Sequence, residues 1–188
     1  MLKDLVVRTR SYRRFFQDVP VSMEILREVI DLARLAPSGS NLQSLRYLLS
    51  NEEEKNQRIF NTLRWAGYLK EWPGPNECER PTAYIIMLKE QKQPVFWDHG
   101  LAAQTILLGL TEKGFGACQF SNIDREVLRA ELRIPDEYEI LMVLAIGKPK
   151  EIVVLEELDE SGNVRYWRDE QGVHHVPKRK LDDFIIEI

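Results

Sequence analysis

The chain has 188 residues, 44% of them hydrophobic and 30% charged, with a formal net charge of −4, the length and balance of one globular domain over 1–188 with a full core. No apolar run approaches the roughly 18–20 residues of a membrane span and MLKDLVVRTR carries no signal-peptide pattern, so the expectation is a cytoplasmic protein with no membrane partner. The negative balance argues against nucleic acid as a partner, and Cys78 and Cys118, far apart and outside any CxxC pair, read as free thiols in a reducing compartment.

In chain order, VRTRSYRRFF comes first, setting Arg8, Arg10, Arg13 and Arg14 around Ser11. SMEILREVIDLARLAPSG predicts a helix with Ile25, Val29, Leu32, Ala33 and Ala36 on one face, capped by Ser22 and stopped by Pro37 and Gly39. RYLLS is a short strand. NEEEKNQRIFNTLRWAGYL predicts a second helix whose acidic opening suits the positive end of the dipole, with Trp65 and Tyr68 sharing a face. TAYIIMLK has the content of a buried strand. VFWDHGLAAQTILLGLTEKG is a long helix, apolar nearly all round and closed by Gly114, to be placed in the core or a subunit interface. GACQF reads as a strand, DREVLRAEL as a short helix, and YEILMVLAIG as the strongest strand. NVRYWRDEQGVHHV predicts two short strands around Gly172, a solvated hairpin, followed by the basic PKRK and the apolar LDDFIIEI. Without repeats or linkers, and with irregular alternation, the fold class is α+β.

Familiar chemical signatures are missing. GFGACQ lacks the third glycine of a dinucleotide fingerprint, and neither GxxxxGK[ST] nor GxSxG occurs. His174 and His175 would project to opposite faces of a strand and cannot chelate one ion together, so no metal site is expected. The arginine cluster, the PSGSNLQ turn and PKRK remain. Each alone is ordinary: a solvated face, a helix stop, an exposed basic run. Together they offer guanidinium and ammonium groups for a phosphate, and Asn and Gln side chains for a heterocycle edge. FMN has both.

RSYRRF, APSGSNLQ, DHGLAAQTILLGLTEKGFGAC and PKRKLDDFII, in that order, resemble the FMN-dependent nitroreductase family over nearly the whole chain. The resemblance implies an intertwined homodimer with a central, mostly antiparallel sheet flanked by helices and FMN at the subunit interface. It assigns Arg10, Ser11 and Arg13 to the phosphate and pyrimidine ends of FMN, and Pro37, Ser38, Gly39, Ser40, Asn41 and Gln43 to a segment reaching the flavin of the partner subunit. Ser121 and Asn122 match backbone along the flavin ring, and Lys178 and Arg179 match the carboxyl-terminal basic motif, with Lys180 an alternative register. Thr9 stands where many members have a further arginine, leaving Arg8 or Arg14 as possible substitutes, and Ser44-Leu45 replaces Pro-Trp.

The implied activity is a ping-pong oxidoreductase. NADH or NADPH reduces the flavin, and a small-molecule acceptor such as a nitroaromatic or quinone takes two electrons from it. The cofactor carries the chemistry, so no catalytic side chain is assigned. Trp65 and Tyr68 are candidates to wall the substrate pocket, although aromatics at that spacing are more often core. The alternatives are dehalogenase or flavin-fragmenting chemistry on the same fold and, from another class, a basic-tipped module that binds polyanions without catalysis.

Overall fold

In the computed structural model, which describes residues 1–187, one central sheet is buried on both faces. Its strands are β1 (Phe15–Phe16), β2 (Leu45–Ser50), β3 (Ala83–Glu90), β4 (Gly116–Phe120) and β5 (Tyr138–Pro149), in the order β1-β5-β3-β2, with β4 also paired to β5. Every pairing is antiparallel. The two-residue period of a strand divides the core. Ile85, Met87, Leu144 and Ile146 enter one apolar cluster, while Tyr84, Ile86, Val143 and Ala145 enter the other. Strand β3 therefore reads as an unbroken apolar run, because both of its faces are covered.

Helices α2 (Met23–Leu35) and α4 (Asp98–Glu112) cover the first face, and α3 (Glu53–Phe60) and α5 (Arg125–Leu132) the second. Ser22 caps α2 as expected, its Oγ accepting from Ile25 N–H at 3.2 Å. The buried stripe differs from the sequence expectation: Leu26, Val29 and Ala33 point inward, Ile25 and Ala36 are half-buried, and Leu32 is exposed. The crossing with α4 is responsible. It is close at Gly109, where a Cβ would lie 2.6 Å from Leu32 Cδ1 and 3.3 Å from Val29 Cγ1, so Leu32 rests on α4 at the edge of the contact.

The second predicted helix is shorter than its sequence suggests. After Phe60 the Thr62 hydroxyl donates back to the Ile59 carbonyl at 2.7 Å, Leu63 bridges to Ile123, and Arg64 N–H donates to Asn122 O at 3.2 Å. Pairing with the loop after β4 replaces the next helical turn. Trp65 consequently lies in irregular chain and Tyr68 in a turn, and they share no helical face.

Helix α1 (Leu2–Arg8) lies against α4, where Thr9 Oγ1 meets Thr111 Oγ1 at 2.9 Å. Beyond β5 a second, smaller sheet forms from β6 (Val153–Glu157), β7 (Trp167–Arg168) and β8 (His174–Lys178). β6 runs parallel to β8, and β7 antiparallel to it. The predicted hairpin around Gly172 (φ 81°) is present, but it is not simply solvated. His174 is 1% exposed, because β6, unforeseen from the sequence, pairs along the other edge of β8. No helix among the described residues is long and apolar enough to cross a membrane.

Candidate functional site

The four arginines of the amino-terminal cluster separate into two pairs. Arg8 bonds Asp4 on the surface at 3.1 Å. Arg14 forms a two-pronged ion pair with Glu79, Nε to Oε2 at 2.8 Å and Nη2 to Oε1 at 2.6 Å, and Lys150 adds a third contact at 3.0 Å. Held chiefly by Arg14, the Glu79 carboxyl falls to about 2. Neither Arg8 nor Arg14, the substitutes that the sequence left open, lines the cavity that takes the other two arginines. Arg10 and Arg13 instead line a cavity of about 330 Å³ together with Ser11, Gln104, Gln119, Tyr166, His174 and Lys178.

The path of the chain explains this convergence. Ser11 forms a parallel bridge with Ala117, and Tyr12 N–H donates to Ala117 O at 3.1 Å, laying residues 9–13 along β4. Gly116 permits the approach, since a Cβ there would fall 2.4 Å from the Tyr12 ring. Alternation in β4 then presents Ala117 and Gln119 to the cavity while Cys118 and Phe120 enter the second core cluster. Buried, the Cys118 thiol is pushed up to about 11 and is inert.

Positive charge dominates the cavity. Arg10, Arg13 and Lys178 line it, and among the described residues no carboxylate does. Burial pulls the Arg10 pKa down, Nη2 donates to Val6 O at 2.6 Å, and Nε is buried without a partner. Lys178 makes no ion pair among the described residues. Arg13 is 9% exposed, and its backbone N–H donates to Glu151, a fully buried carboxylate that also pairs with Arg168 at 3.0 Å. The Arg13 guanidinium lies 4.7 Å from the centroid of the Tyr166 ring.

The remaining candidates lie elsewhere. Pro37, Ser38 and Gln43 line a separate cleft of about 290 Å³ with Tyr47 and Asp98, sharing no residue with the first cavity. Ser38 Oγ donates to Asp98 at 3.0 Å and accepts from Gln43 N–H at 2.9 Å, and Gly39 N–H donates to Asp98 at 3.0 Å. Ser40, Asn41 and Gln43 hold left-handed φ values of 51°, 55° and 50°, a strain the Asp98 contacts must maintain. Around this turn Leu35, Leu42, Phe96, Trp97 and Leu101 are exposed, Trp97 to 82%.

Ser121 and Asn122 sit just past β4 and do not reach the cavity; their carbonyls accept from Arg125 and Arg64. Arg179 and Lys180 are exposed beyond Lys178. Trp65 packs on Phe120 at 4.7 Å and on Phe60 at 5.5 Å, in the manner of a core aromatic. Tyr68 packs at a tilt on Tyr166, ring centroids 4.9 Å apart, next to the cavity. Tyr166, His174, Gln104 and Gln119 were missed from the sequence. The two glutamines carried a signal, each a polar residue within an apolar element.

Comparisons with known proteins bear on the family and the fold. Iodotyrosine deiodinase of Thermotoga neapolitana is 27% identical over 168 residues, covering 79% of this chain and 89% of that protein. Nitrobenzene nitroreductase of Ectopseudomonas oleovorans is 25% identical over 193 residues, covering 77% and 85%. The crystal structure of oxidized iodotyrosine deiodinase bound to FMN and 3-iodo-L-tyrosine matches the fold with a TM-score of 0.67 at 24% identity, covering 90% of this chain and 96% of that one. The sequence profile of the Nitroreductase family matches residues 6–148, and the chain therefore belongs to the nitroreductase family.

Proposed function

We propose that the protein is an FMN-dependent oxidoreductase that takes reducing equivalents from NADH or NADPH. The observation that carries this reading is the cavity itself, which gathers Arg10, Arg13 and Lys178 from opposite ends of the chain with no neutralising carboxylate among the described residues. The donor set fits FMN. A buried Arg10 Nε without a partner, the Ser11 hydroxyl and three cationic side chains suit a dianionic phosphate and an electron-rich ring edge. The family assignment supports the same reading.

Bound there, FMN would supply two-electron chemistry, receiving hydride from the nicotinamide and passing electrons to a nitroaromatic or quinone acceptor in a ping-pong sequence. The chain's own groups bind and orient. Arg10 and Lys178 hold the phosphate, Arg13 places positive charge beside the ring, and Gln104 and Gln119 offer amides to its heteroatoms. Tyr68 and Tyr166 wall the approach of the acceptor. Pro37 to Gln43 would complete the site from a partner subunit, since in its own chain that segment lines a different cleft amid exposed apolar side chains. Ser121, Asn122 and Arg179 do not line the cavity in this chain, and only the family resemblance supports their part in the assembled site.

The likeness to a deiodinase favours reductive dehalogenation as the second reading, and product analysis with halogenated and nitro substrates separates the two. The test of the main proposal is anaerobic addition of NADH or NADPH to FMN-loaded, desalted protein. Bleaching of a retained flavin band by one donor supports it, and a protein that retains no flavin defeats it.

A further inference from the structure

The small sheet β6-β8-β7 lies outside the span matched by the family profile, residues 6–148, yet it supplies Val153, His174, Val176 and Lys178 to the cavity. Within it, His174 is fixed from both sides. It is in register with Val153 of β6 and Arg168 of β7, and its N–H donates to Ile152 O at 2.8 Å. Arg13 Nη1 lies 3.2 Å from His174 Nε2 and 3.1 Å from Ser11 O.

An arginine can only donate, so His174 Nε2 accepts and the ring proton resides on Nδ1. That atom is buried and without a partner. The groups facing the imidazole reinforce the neutral form: burial first, then the Arg13, Arg168 and His175 charges, push its pKa down to about 4. The Tyr166 ring closes the face of the same guanidinium and sits 5.1 Å from the imidazole. Among the described residues no group accepts from Arg13 Nη2 or Nε. One edge of the guanidinium is thus held by the chain and the other is left to a ligand.

We propose that His174 is a positioning residue for Arg13, a neutral acceptor that turns the guanidinium so that its unbonded edge meets the cofactor in the cavity. This rests on the FMN reading for the identity of the cofactor, while the pairing with Arg13 stands on the chain alone. A hydrophobic residue at this point would avoid leaving a buried N–H unpaired, which is costly to a fold. The histidine is therefore unfavourable for the fold by itself and favourable for the orientation of its partner.

The experiment compares wild type, H174L and H174Q, each checked for folding by circular dichroism. FMN dissociation constants are read by quenching of flavin fluorescence, and the flavin midpoint potential by dye equilibration. H174L should bind FMN about tenfold more weakly, as expected for losing one hydrogen bond to a charged group, and shift the potential. H174Q, whose Oε1 can replace Nε2 as acceptor, should stay within about threefold. H174L matching wild type in both readouts overturns the proposal, as does H174Q behaving like H174L. In the FMN-free protein, ¹⁵N spectra should show His174 as the neutral Nδ1–H tautomer at neutral pH. An Nε2–H tautomer or a cationic ring there overturns the proposal too, whether or not FMN binds. Wild type that binds no FMN but shows the Nδ1–H tautomer refutes the cofactor reading alone and supports the Arg13 pairing.

Discussion

Replacing Arg13 by alanine removes one of the three positive charges lining the cavity, together with the contacts to Ser11 O and His174 Nε2 and the stacking on Tyr166. A hydrogen bond from a charged donor contributes about 1.5–3 kcal/mol, and about 1.4 kcal/mol is tenfold in affinity. R13A should therefore weaken FMN binding by roughly tenfold to a hundredfold, and R10A/R13A by more. Folding should survive, because the cation–π contact contributes about 0.5–2 kcal/mol against a domain stability of about 5–15 kcal/mol, and the backbone bond from Arg13 N–H to Glu151 remains. Arg14 is the internal control. Its guanidinium is taken up by Glu79, so R14A should lower the melting temperature and leave FMN affinity within about twofold of wild type. Fluorescence titration with FMN, beside thermal melts, separates the two effects. Unchanged FMN affinity in a folded R10A/R13A protein would refute the assignment of this cavity.

Three further predictions concern the fold and assembly. The Glu79 carboxyl is lowered to about 2 by Arg14 and Lys150, so its stabilisation is complete above its unfolded value near 4.5 and is lost as pH falls towards 2; E79Q should cost about 2–3 kcal/mol at neutral pH, and a denaturant midpoint equal to wild type would contradict this. Cys78 is exposed and Cys118 buried, so a thiol reagent should modify Cys78 alone in the native protein and both after unfolding, and C118S should preserve hydride transfer. Trp97 and Leu101 lie exposed beside the 37–43 turn, so W97D/L101D should convert a dimer into monomers by light scattering and release FMN; a wild-type monomer that retains flavin would exclude the shared site.

Much of the fold was legible because its strongest signals are local. The extent of GACQF and the capping of α2 by Ser22 depend on side chains within a few residues. Where long-range contacts prevail, sequence periodicity misleads. The residues after Phe60 keep a helical pattern, but pairing of Leu63 with Ile123 takes the backbone elsewhere. Strand β6 escaped notice because its partner β8 follows only after a loop and β7, and a parallel pairing leaves no turn signature.

The site divides in the same way. Arg10, Ser11, Arg13 and Lys178 were named from motifs and do converge on one cavity. Tyr166 and His174 were not, since an aromatic and a histidine in a short hairpin carry no distinguishing pattern until the small sheet folds over Arg13. The division of labour among the four arginines depended on Glu79, a partner 65 residues from Arg14.

The most direct test of the central claim is a crystal structure of the protein grown with FMN. The account predicts the phosphate on Arg10 and Lys178, the ring beside Arg13, and residues 37–43 of a second chain against the flavin. Flavin in another cavity, such as the cleft of about 600 Å³ lined by Phe60, Cys78 and Arg80, would contradict it.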